Sequence, residues 1–112
     1  MDGPFGNTTT GVAENLTIDA IEVQQNYPNP FSETTAIQFR MNRTDNVSLK
    51  VYDVLGNEIN TIYDGKLIPG DHTYYWSGTN QAGSTVAPGI YYYRIVSASS
   101  QVSKPMMFLG QR

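Results

Sequence analysis

From residue 21 onward, apolar and polar positions alternate in short runs separated by clusters of Gly, Pro, Asn and Asp. In TAIQFRM, Ile37, Phe39 and Met41 fall on one face and Gln38 and Arg40 on the other, the period of a half-buried strand. VSLKVYDV places Val47, Leu49 and Val51 inward and Ser48, Lys50 and Tyr52 outward. EINTIYDG predicts a short strand ending at Asp64 and Gly65. HTYYW sets His72, Tyr74 and Trp76 against Thr73 and Tyr75. GIYYYRIV sets Tyr91, Tyr93 and Ile95 against Tyr92 and Arg94. Between these runs, turns are expected at Thr44 to Asn46, around Gly56 and Asn57, around Pro69 and Gly70, and at Ser97 to Gln101. The polar stretch SGTNQAGSTVAPG reads as a loop with its own turn at Gln81 to Gly83. Ile21, Val23 and Tyr27 suggest an edge strand running into NYPNPF, where Pro28 and Pro30 force an extended, solvent-facing kink. In the last run, VSKPMMFL, Pro105 confines the strand to an edge or a bulge.

No run shows a helical period. About seven short strands with turn punctuation at roughly 8 to 12 residue spacing predict an all-β fold, an immunoglobulin-like antiparallel β-sandwich. Residues 1–20, rich in Gly, Asn, Thr and Asp, read as a linker from an upstream region, with a short extended piece near Leu16 to Ile18. Residues 21–112 form the folded domain.

Composition narrows the function. Charged residues make up only 15% of the chain against a usual quarter, while eight of the 112 residues are Tyr. With no Cys there is no thiolate nucleophile and no disulfide, and a single His excludes a multi-histidine metal centre. Seven dispersed Lys and Arg at net charge −3 make no basic footprint, so no nucleic acid partner is expected. No apolar run approaches the roughly 18 residues of a spanning helix, so no direct membrane insertion is expected.

Candidate chemistry is thin, and no catalytic, cofactor-binding or metal-ligating residue is assigned. GTNQAGST at Gly78 to Thr85 has Ser84 where a phosphate loop carries Lys, and no helix follows it. His72, the one candidate base, stands beside Asp71, but strand neighbours point to opposite faces. It reads as a strand His packed beside Trp76. Asp53, Asp64 and Asp71 lie near turns, where capping is the plain reading and a weak calcium site the sharper one. Trp76, Tyr91 and Tyr93 are expected in the core, with Trp76 near Phe39, Leu49, Tyr91 and Ile95. Tyr75 and Tyr92 are expected to form an outward aromatic stripe, able to stack on sugars or peptides or simply to stabilise the sheet.

From Asn26 to Leu109, NYPNPF, SETTAIQF, VSLKVYDVLGNEI, GDHTYYWSGTNQAGSTVAPGIYYYRI and KPMMFL occur in an order and spacing that resemble a known family. The chain is similar to the C-terminal sorting domain of proteins exported by the type IX secretion system of Bacteroidota, and to the related immunoglobulin-like domain of the flagellar hook-capping protein. The matching positions are Pro28, Pro30, Phe31, Tyr52, Gly56, Trp76, Gly78, Gly83, Gly89, Tyr91, Lys104 and Met106. The resemblance implies a non-enzymatic signal at the C-terminus of a cargo protein. Its implied partners are the type IX translocon and a sortase-like peptidase, with the cargo domain N-terminal to this chain. The implied route is the periplasm in transit, then the outer-membrane surface or the medium.

Recognition is then expected around the last strand: Gly89, Tyr91, Lys104, Met106, Met107, Phe108 and Leu109. Lys104 should face solvent, Met106 and Phe108 should hold the strand onto the sandwich, and its edge should be open to a receptor. The alternatives are a carbohydrate-binding domain using Tyr75 and Tyr92, and a structural accessory domain of an extracellular enzyme or adhesin.

Overall fold

A computed structural model of the chain describes residues 21–110; the expected linker, with its extended piece, lies outside them. The described chain is all-β, with seven strands: β1 Ile21–Val23, β2 Thr35–Met41, β3 Asp45–Asp53, β4 Glu58–Leu67, β5 Gly70–Trp76, β6 Gly89–Val96 and β7 Gln101–Phe108. They form two antiparallel sheets, ordered β1-β2-β5 and β4-β3-β6-β7. This is the expected immunoglobulin-like sandwich.

The alternation sets the core. Ile37, Phe39 and Met41 from β2 meet Val47, Leu49 and Val51 from β3 and Tyr93 and Ile95 from β6, all buried. At one end, the Trp76 ring is surrounded by Phe31 at 5.8 Å, Tyr91 at 5.3 Å and Phe108 at 5.9 Å. Its indole N–H, which needs a partner once buried, donates to Thr79 O at 2.8 Å. Of the two aromatic neighbours expected for Trp76, Tyr91 is among these rings and Phe39 is not. Phe39 lies further along the register, opposite His72, and packs its ring on His72 and Tyr74.

Four details differ from the sequence reading. The turn before β3 occupies residues 42–44, and Asp45 and Asn46 already pair with Leu67 and Lys66. β4 runs through Gly65 to the buried Leu67. Its register skips Ile62 and then Ile59, two bulges that break the alternation while both isoleucines still pack on the core. NYPNPF is bent over residues 28–30 rather than extended, although its prolines do face solvent. His72 packs on Phe39 at 5.9 Å, not on Trp76, and its Nε2 bonds Ile68 O at 2.8 Å. Trp76 is four residues further along the same strand, about 13 Å away at strand rise.

Candidate docking surface at the final strand

The NYPNPF segment is held by a buried polar network. Asn26 is 3% exposed and Thr35 is fully buried. The Asn26 amide Nδ2 donates to Thr35 Oγ1 at 2.8 Å and to Pro28 O at 3.3 Å, and Thr35 Oγ1 donates to the same Pro28 O at 2.8 Å. The Asn26 backbone N–H donates to the Tyr93 hydroxyl at 3.1 Å, which itself donates to Gln24 O at 2.8 Å. Burial of that phenol pushes its pKa up to about 12. Each polar group here would cost free energy if left alone in the core, so the network fixes one path for the chain.

That path runs along the outer edge of β7. The Phe31 N–H donates to Met107 O at 3.0 Å, and the Leu109 N–H donates to Phe31 O at 2.8 Å. The Met107 N–H donates to Asn29 Oδ1 at 2.9 Å, and Gln25 Nε2 donates to Pro105 O at 2.8 Å. The expected open edge is therefore covered over its second half by a segment some eighty residues earlier in the chain. Pro105 fits because its position faces away from β6, so its missing N–H removes no ladder bond. Only the first half of that edge, around Gln101 and Ser103, is left without such a cover among the described residues.

The named residues fall into distinct places. Met106 and Phe108 are buried and hold β7 onto the sandwich. Tyr91 is buried at 6% exposure, its ring on Trp76 and its hydroxyl donating to Ala87 O. Gly89 pairs with Phe108 at φ +151°, a backbone that favours glycine. Phe108 in turn needs Gly78: a Cβ there would stand 2.3 Å from its ring. Lys104 does not face open solvent. It shares the inward parity of Met106 and Phe108, lies opposite the buried Tyr93 and is half-buried. The outward side chains at this end are Met107, half-buried, and Leu109, 54% exposed. Met107 lines a shallow cleft of about 220 Å³ with Gln25, Asn29, Ile90 and Pro105, and Tyr27 in the covering segment is 79% exposed.

Tyr75 and Tyr92 are both exposed, but β5 and β6 belong to different sheets. The neighbours of each point into the core, so the two rings leave opposite outer faces and make no single stripe. Asp53 caps its turn, accepting from the Leu55 and Asn57 N–H groups at 2.9 Å each. These bonds, led by that from the Asn57 backbone, hold its carboxyl below the usual range. Among the described residues, no three acidic or histidine side chains converge as a metal site would require.

Asn26, Asn29, Gln25 and Thr35 were not singled out in the sequence. Thr35 carried a signal, since it shares the inward parity of Ile37 and a buried hydroxyl must find a partner.

Comparison with solved structures finds the same fold in dimeric latent PorU from Porphyromonas gingivalis, at TM-score 0.68 and 24% identity over 91% of this chain and 10% of that one. PorZ, an essential surface component of the type IX secretion system of the same bacterium, aligns at TM-score 0.47 and 23% identity over 80% of this chain and 11% of PorZ. The chain thus spans about a tenth of the length of each. Comparison with curated proteins yields no match. The family model described as the FlgD Ig-like domain matches residues 24–101, most of the sandwich from NYPNPF to the start of β7, and the chain belongs to that family.

Proposed function

We propose that this domain is a folded sorting signal that sends the protein preceding it through a type IX secretion system to the cell surface or medium, with no catalysis of its own. The translocon and a sortase-like peptidase are its partners in this reading, and the periplasm is its place in transit. One observation carries it. Two of the stretches that carry the sorting-domain resemblance, NYPNPF and KPMMFL, are hydrogen-bonded to each other at one corner of the sandwich. Segments far apart in sequence then form a single exposed feature, with Tyr27, Met107 and Leu109 as its outward side chains. A receptor that reads a folded tag needs such a local, directional surface. Because the second half of the edge is already paired, recognition runs through these side chains and the bent proline segment more than through strand addition.

The test is a fusion of the domain to a reporter with a periplasmic export signal, in a bacterium with type IX machinery. The intact domain should carry the reporter outside. Removal of residues 102–112 should leave it in the periplasm. Equal export by both forms contradicts the proposal, as does retention of both.

A further inference from the structure

The outer face of the four-stranded sheet holds a cleft of about 370 Å³ that the sorting reading does not use. Tyr52 and Tyr92 stand directly opposite each other on β3 and β6 and form one wall. The Arg94 guanidinium lies 4.7 Å from the centroid of the Tyr52 ring. Its Nε donates to Ser103 Oγ at 3.2 Å. A ring contact and an Nε bond together orient the planar group. Its Nη edge has no carboxylate partner among the described residues, where the ion pairs are Arg40–Asp71 and Lys50–Glu58. At the rim, Asp53 Oδ1 takes two backbone N–H donors and Oδ2 takes Asn57 Nδ2 at 3.1 Å. That leaves Oδ2 with acceptor capacity for one further donor.

We propose that this cleft binds a sugar unit bearing a carboxylate, a uronic-acid residue of an acidic glycan. The carboxylate pairs with the oriented Nη edge of Arg94. The apolar C–H face of the ring lies on Tyr92, which is 38% exposed. A ring hydroxyl donates to Asp53. A neutral sugar leaves the Arg94 edge without an anion. An acidic peptide supplies the anion but no hydroxyl array for Asp53 and no saturated ring for Tyr92. The volume is at the lower end for small-ligand sites, suited to one or two sugar units. With a net charge of −3, the chain as a whole does not attract anions, so binding depends on this local cation.

The experiment is a two-dimensional NMR titration of the domain with trigalacturonate, with maltotriose and an Asp-Glu-Asp tripeptide as the other probes. Trigalacturonate should shift the amides of Tyr52, Asp53, Tyr92 and Ser103 saturably, more weakly as salt is raised. Arg94→Gln should weaken it at least about tenfold, the loss of one charge-assisted hydrogen bond. Tyr92→Leu, which keeps an apolar residue on the sheet, should weaken it through lost stacking. Retained spectral dispersion in both variants shows that each is folded. Equal binding of maltotriose, equal binding of the tripeptide, no saturable shift with trigalacturonate, or undiminished binding by Arg94→Gln each overturns the proposal.

Discussion

The two halves of the final strand differ sharply, although inward and outward positions alternate along both with the same parity. Among the described residues, Gln101 to Lys104 pair with β6 on one side only. Pro105 to Phe108 are gripped on both sides, by β6 and by the residues from Gln25 to Phe31. The first half adds the half-buried Val102 and Lys104 to the sandwich, while the second buries Met106 and Phe108 completely, with the Phe108 ring against Phe31 and Trp76. The same backbone geometry therefore serves two ends: a tied corner with a defined surface, and an edge whose outward groups at Gln101 and Ser103 have no cover among the described residues. What separates them is a remote segment, not the strand's own propensity.

The largest expected effect breaks the tied half. Phe31→Ala removes a ring that is 2% exposed and packs on both Trp76 and Phe108. It should cost about 3–5 kcal/mol in urea unfolding. Val102→Ala, in the other half, should cost under about 1.5 kcal/mol. Equal losses would erase the contrast.

Alkali should loosen the same corner. The folded Tyr93 pKa of about 12 lies above the ordinary tyrosine value near 10. The folded state therefore holds its proton to higher pH than the unfolded chain does. The resulting stability is fully present below about pH 10 and is lost as pH rises from about 10 to about 12, by about 2 kcal/mol. Tyr74 and Tyr91 are raised by burial too and act in the same direction. Urea unfolding as a function of pH checks this, and a flat profile between pH about 9 and 12 contradicts it.

A smaller effect concerns Gly89, opposite Phe108 at φ +151° with no atom within 4 Å of an added Cβ. Gly89→Val meets backbone strain without a clash and should cost about 1–2 kcal/mol. A neutral result in urea unfolding would show that the turn relaxes.

Much of the sandwich was legible because β2, β3 and β6 bury every second residue and β5 turns every second residue inward, and period two needs no tertiary knowledge to read. β4 was read short because its bulges at Ile59 and Ile62 bring two isoleucines three positions apart onto one face, which cancels the alternation. Lys104 was misplaced because its charge was given more weight than its parity, which puts it beside Tyr93 with its stem against the sandwich. The cover on β7 was invisible for a different reason. It depends on Asn29 and Phe31 meeting Met107 and Leu109 across nearly the whole domain, and nothing local encodes that pairing. Tyr75 and Tyr92 point outward, as their parity predicts, but strand order decides which outer face each occupies. Tyr92 thereby gains Tyr52 and Arg94 as neighbours, while Tyr75 stands on the other sheet.

The most direct test of the tied corner is native-state hydrogen exchange at two amides of β7, Ser103 and Met107. Both point away from β6 by register, but among the described residues only Met107 has an acceptor there, Asn29 Oδ1. Met107 should be strongly protected and Ser103 should exchange close to the unfolded-chain rate. Asn29→Ala, at a global cost of about 0.5–1.5 kcal/mol, should speed Met107 selectively and leave Ser103 unchanged. Equal protection of the two amides in the parent, or a Met107 rate indifferent to Asn29, would contradict the account.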